Sequence, residues 1–118
     1  MNFKSIAKIH NESFSKKHDE KFFESLEYIT YLLDNRAYLI LIDSIDVYEI
    51  FEIAVENEYR GKGLAKKLLN MLPDTKPIML EVNVKNLPAI SLYKKMGFKQ
   101  ISLRKNYYNT DDAIIMRR

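Results

Sequence analysis

Two rhythms of apolar residues divide this chain into elements. Over residues 4–14, Ile6, Ala7, Ile9 and His10 recur at helical spacing and predict a first helix. Asp19 stands where an N-cap belongs for a second, short helix carrying Phe22, Phe23, Leu26 and Glu27. The next block is rich in β-formers. Residues 28–33 and 37–42 flank a turn at Asp34-Asn35-Arg36, and a second turn near Asp43-Ser44 leads into residues 47–55. These predict a three-stranded antiparallel meander.

Residues 55–72 organise the rest, because they join the last meander strand to an amphipathic helix through a loop holding Gly61 and Gly63. Leu64, Leu68 and Leu72, with Ala65 and Leu69, form one face of that helix; Lys66, Lys67 and Asn70 point away, and Pro73 ends it. A glycine turn that ends a strand and opens a helix leaves backbone N–H groups unpaired at the positive end of the helix dipole, which suits phosphate. Residues 77–84 then alternate, with Ile78, Leu80, Val82 and Val84 on one face and Met79, Glu81 and Asn83 on the other. Strand, helix and strand in that order form a crossover, so this strand is expected parallel to the one ending at Val55. Asn86 and Pro88 open a further helix through Met96, which Gly97 closes. Residues 98–103 and 112–116 read as a final strand pair, joined by an aromatic, polar connection over 104–111. Neither internal repeats nor low-complexity segments occur.

At 118 residues the chain is expected to form one domain. With 47% hydrophobic and 30% charged residues, its composition is that of a folded globular protein. No apolar run reaches spanning length and no leader precedes the first helix, so the cytoplasm is the expected compartment, with no membrane contact. The absence of cysteine removes disulfides, thiolate nucleophiles and cysteine metal sites. The two histidines, His10 and His18, are too few and too isolated for a metal cluster and read as solvated surface residues. No metal is expected. The net charge of +3 comes from cations interleaved with 16 acidic residues, not from a stripe. That pattern argues against direct nucleic-acid binding. Lys62, Lys66 and Lys67 beside the glycine loop suit a compact anionic ligand instead.

Arg60-Gly-Lys-Gly-Leu-Ala65 after a strand, followed by Asn86-Leu-Pro-Ala89 and Leu92-Tyr-Lys-Lys-Met-Gly-Phe98, resembles the GNAT superfamily of N-acetyltransferases. Leu80-Glu-Val, the Asn-x-x-Ala-x-x-Leu-Tyr-x-x-x-Gly-Phe run, Arg104-Lys-Asn-Tyr-Tyr108 and Asp112-Ala-Ile-Ile-Met116 are similar to the RimI-type ribosomal-protein alanine N-acetyltransferases. The likeness covers roughly residues 51–116. The glycine loop alone is a weak signal; the ordered set at matching spacing is a strong one. The resemblance implies an α/β chain of the GNAT fold, an antiparallel meander followed by a β-α-β crossover around an acetyl-CoA loop. Acetyl-CoA is the implied cosubstrate, its pantetheine arm lying in a split between the two parallel strands. Ile53, Ala54 and Val55 would offer backbone groups to the arm, the Val55 N–H polarising the acetyl carbonyl. Arg60, Gly61, Lys62, Gly63, Leu64, Ala65 and Lys66 would hold the pyrophosphate, and Asn86 would contact the arm. The family's base and acid fall on Glu81 and Tyr93.

Acetyl transfer needs a neutral amine, a donor to the carbonyl oxygen and a proton for the leaving thiolate. Taken alone, Glu81 also reads as an exposed strand carboxylate, and Tyr93, on a helix stripe with Ile90 and Met96, as a half-buried core tyrosine. A peptide α-amine has a pKa of about 7.7–8.0 against about 10.4 for lysine, so freeing its lone pair at pH 7 costs roughly 3.5 kcal/mol less. One carboxylate suffices for an α-amine, and the expected acceptor is the N-terminal alanine of a small-subunit ribosomal protein. A small amine, a lysine, or a non-catalytic CoA-binding module are the alternatives. Asn106-Tyr107-Tyr108 would either wall the acceptor groove or form an ordinary aromatic hairpin turn. The family's first strand is short or missing here, its helix after the glycine loop is usually longer, and its last hairpin loop is usually larger than residues 109–111. The trimmed edge leaves the expected state as monomer or weak homodimer.

Overall fold

In the computed structural model, which describes residues 1–108 and 111–118, Asn109 and Thr110 of the expected connection lie outside the described residues. The elements are α1 (Phe3–Ser13), α2 (Glu20–Ser25), β1 (Ile29–Leu33), β2 (Ala37–Asp43), β3 (Tyr48–Val55), a 3₁₀ turn (Asn57–Tyr59), α3 (Leu64–Asn70), β4 (Ile78–Asn83), α4 (Leu87–Lys95), β5 (Lys99–Tyr108) and β6 (Asp111–Arg117). The strands hydrogen-bond in the order β1-β2-β3-β4-β6-β5. β3 and β4 are parallel, whereas β1–β2, β4–β6 and β5–β6 are antiparallel. The mixed sheet with its parallel crossover is the one the residue pattern predicts. The chain divides into two compact units: residues 1–43 with 51–72, and residues 44–50 with 73–118.

In the first unit α1 is opened by Asn2, whose side chain accepts the Ser5 N–H at 3.2 Å, and α2 by Asp19, which accepts from Phe22 at 3.0 Å. Asp34 and Asn35 take φ +51° and +56°, the left-handed pair of a tight hairpin, and the Arg36 N–H closes it on the Leu33 carbonyl at 2.9 Å. Ile6, Ile9, Phe23, Tyr38, Ile40 and Ala54 form one buried cluster. Leu39 and Leu41 alternate to the other face of β2 and are fully buried, as are Leu68 and Leu69 of α3.

His10 is a correction to the expectation of a solvated surface histidine. It is buried, with Nδ1 against the Glu52 carboxylate and Nε2 on the Lys16 carbonyl at 2.7 Å. The Tyr38 hydroxyl donates to the same Glu52 oxygen at 2.6 Å. His10 belongs to α1's buried stripe, and a polar residue survives there because each ring nitrogen has a partner. His18 is half-buried, stacked on Phe22 with ring centroids 3.6 Å apart.

Two element boundaries also differ from expectation. α3 stops at Asn70, before Leu72: Met71 and Leu72 donate to Leu68 and Leu69 at 3.0 and 3.4 Å, tightening the last turn ahead of Pro73. β5 continues through the polar stretch expected as a connection, with Leu103 opposite Ile114 and Arg104 opposite Ala113. Its side chains from Lys99 to Tyr107 are exposed, so apolar alternation could not reveal it. The 3₁₀ turn at Asn57–Tyr59 has no apolar periodicity either.

In the second unit α4 ends in a full Schellman turn. The Gly97 N–H donates to Lys94 at 3.1 Å and the Phe98 N–H to Tyr93 at 2.9 Å, with Gly97 at φ +93°. Among the described residues no helix is long and apolar enough to cross a membrane.

Candidate active site

The predicted site residues fall in both compact units. In the first, Ile53, Ala54 and Val55 are the last three residues of β3, with Ala54 facing the α1 cluster and Ile53 and Val55 alternating away from it. The chain then makes its 3₁₀ turn and enters the glycine loop. Gly61 and Gly63 hold φ +78° and +79°, and an added Cβ at either would meet nothing within 4 Å. Backbone conformation alone therefore demands glycine there, and both Cα atoms face open space. Gly63 caps α3, its carbonyl accepting the Lys67 N–H at 3.0 Å. Lys62 and Lys66 are exposed, and Leu64 and Ala65 are half-buried at the helix start. The loop thus presents an exposed glycine backbone flanked by cations, a surface that fits a pyrophosphate.

Arg60 turns back into its own unit. Its Nε donates to the Val55 carbonyl at 3.1 Å and Nη2 to Ser13 Oγ at 2.9 Å, tying the loop to the end of β3 and the last turn of α1. Beside it, the Arg36 guanidinium covers the Tyr59 ring at 3.7 Å.

In the second unit, burial alternates along β4 and puts Ile78, Leu80 and Val82 inside and Glu81 on the half-exposed face. Arg104 Nη1 lies 3.2 Å from Glu81 Oε1, with the Glu81 side chain 29% exposed. The Tyr107 hydroxyl is also hydrogen-bonded to Glu81; that bond and the carboxylate's charge push the tyrosine above its ordinary value, against a smaller opposite pull from Arg104. Asn86 caps α4, Oδ1 accepting the Ala89 N–H at 3.3 Å. Tyr93 is buried in α4's stripe with Ile90, its ring edge-on to Phe98 at 5.8 Å. The structure thus gathers Glu81 with Arg104 and Tyr107, and places Tyr93 against the turn that ends α4. Arg104 and Tyr107 are three residues apart, a spacing that puts side chains of a regular strand on opposite faces, so no local pattern in the sequence pairs both with Glu81. Among the described residues no group of three or more histidines and carboxylates could hold a metal.

A family model described as "Acetyltransferase (GNAT) domain" matches residues 24–100. The chain belongs to the acetyltransferase (GNAT) domain family. This GNAT chain is 38% identical over 90 residues to the [ribosomal protein bS18]-alanine N-acetyltransferase of Escherichia coli, covering 68% of this chain and 61% of that protein. It spans about three fifths or less of the curated alanine N-acetyltransferase relatives it matches. The crystal structure of the ribosomal-protein-S18-alanine N-acetyltransferase from Escherichia coli superposes with a TM-score of 0.83 at 28% identity, over 98% of this chain and 86% of that one. A structure of the NatC complex bound to Gag peptide and CoA matches with a TM-score of 0.81 at 27% identity, over 98% and 88% of the two chains.

Proposed function

We infer that this GNAT chain is an acetyl-CoA-dependent N-acetyltransferase whose acceptor is a protein N-terminal α-amine, foremost the N-terminal alanine of a small-subunit ribosomal protein. The likeness to the Escherichia coli bS18-alanine N-acetyltransferase carries the reading, because it holds in both sequence and structure. The coenzyme supplies the acetyl thioester. The backbone of Ile53, Ala54 and Val55 orients its arm, with the Val55 N–H polarising the acetyl carbonyl. The segment from Arg60 to Lys66 holds the pyrophosphate through loop N–H groups and the Lys62 and Lys66 charges; Arg60 itself braces the loop through Val55 and Ser13. Asn86 fixes the start of α4 and contacts the arm.

Glu81 takes the proton from the acceptor's α-ammonium, freeing the lone pair that attacks. Its position on the half-exposed face of β4 supports that role, since a base must be reachable. Tyr93 returns a proton to the departing thiolate, and its packing against Phe98 supports a fixed donor. The test is fragment mass analysis after mixing the protein, acetyl-CoA and peptides that differ only in their first residue, each with one internal lysine. Acetyl on the α-amine of alanine-first peptides, lost in Glu81→Gln, is the expected result. Acetyl on lysine alone, or none despite bound coenzyme, would overturn the acceptor assignment in favour of another amine or a binding role.

A further inference from the structure

Glu81 is held by two residues that a regular strand could not both deliver. Across the sheet Glu81 opposes Ile115 on β6, and Ile115 opposes Ser102 on β5; Arg104 opposes Ala113, one same-face step along. Arg104 therefore reaches Glu81 diagonally, at 3.2 Å. Tyr107 lies three residues further on, and strand alternation would send it to the opposite face. The register breaks between Arg104 and Tyr108, where Asn106 takes φ +54° and its N–H is pinned to Asp112 Oδ1 at 2.8 Å. That irregularity returns the Tyr107 hydroxyl to the face Arg104 occupies, and both meet one carboxylate. Bulges of this kind re-aim side chains.

We propose that Arg104 and Tyr107 are positioning residues that aim Glu81, and that an acceptor's ammonium displaces the Arg104 guanidinium from it before the proton moves. The inference rests on Glu81 being the base of the acetyl transfer. Arg104 is 56% exposed, so its pair with Glu81 is screened and readily exchanged for another cation. The exchange conserves charge: ammonium replaces guanidinium beside the carboxylate. An ammonium N–H bond then breaks and an O–H bond forms on Glu81, leaving a neutral amine next to a neutral acid. Tyr107, a neutral donor, stays on the carboxylate throughout and holds its direction. The site thereby favours acceptors arriving as compact cations. Along the ladder, Glu49 and Arg117 stand opposite Met79 one step back, and the Lys85–Asp111 pair lies at Asn83 one step ahead.

The experiment is steady-state acetylation of an alanine-first peptide by the full chain in wild type, Arg104→Gln, Arg104→Lys and Tyr107→Phe, with urea unfolding of each variant as the check on folding. Arg104→Gln lowers the acceptor KM several-fold because the ammonium no longer has to displace a guanidinium, Arg104→Lys returns KM towards wild type, and Tyr107→Phe lowers kcat with KM little changed. A merely structural arginine would raise KM and lower kcat. A raised or unchanged acceptor KM in Arg104→Gln, or an unchanged kcat in Tyr107→Phe, overturns the proposal. Failure of the base assignment shows separately, as full activity in Glu81→Gln.

Discussion

The Tyr93 carbonyl accepts the Phe98 N–H at 2.9 Å while their rings meet edge to face at 5.8 Å, so the turn that stops α4 also fixes the tyrosine. The turn depends on Gly97 at φ +93°. Gly97→Ala forces a Cβ into that left-handed conformation, at a cost of about 1–2 kcal/mol. The new Cβ meets only the flexible Arg118 side chain, at 3.4 Å, so backbone strain dominates. Urea unfolding should show the loss, and kcat should fall while coenzyme affinity holds.

Gly61→Ala and Gly63→Ala should separate stability from binding. Each places a Cβ at positive φ in open space, so each should cost about 1–2 kcal/mol in denaturant titration. Calorimetry with coenzyme A should show a larger loss of affinity than of stability, because the added methyl occupies the open space into which a pyrophosphate would dock.

Tyr38→Phe removes a buried donor to Glu52 and should cost about 1–3 kcal/mol. Burial first, then the Glu52 charge and hydrogen bond, hold the Tyr38 hydroxyl far above its usual value of about 10. A group whose folded pKa is raised gives stability that is complete below its unfolded pKa and lost as pH climbs towards the folded one. Wild-type stability should therefore fall above about pH 10, and the fall should be shallower in Tyr38→Phe when melting is followed against pH.

Asn86 can be divided into cap and contact. Asn86→Ala should cost about 1 kcal/mol in unfolding, through loss of the acceptor for the Ala89 N–H. Asn86→Asp keeps that acceptor and should keep stability. A drop in coenzyme affinity in Asn86→Asp would then report the contact with the arm, and unchanged affinity would confine Asn86 to the cap.

Local rules determined much of this chain by themselves. Alternation in residues 77–84 put Glu81 opposite Ile78, Leu80 and Val82, the crossover made β3 and β4 parallel, and Asp19, Asn86 and Gly97 marked helix ends, because each depends on neighbours within a few residues. Family membership was legible in the ordered motifs around Gly61, Glu81 and Tyr93. Tertiary structure decided what depends on distant partners. His10 became buried because Glu52, 42 residues away, supplies an acceptor that no local pattern announces. β5 continued past Leu103 because β6 pairs with its polar residues, which carry no apolar rhythm of their own. Arg104 and Tyr107 converge on Glu81 only through the left-handed turn at Asn106, and a three-residue spacing in a strand otherwise predicts opposite faces.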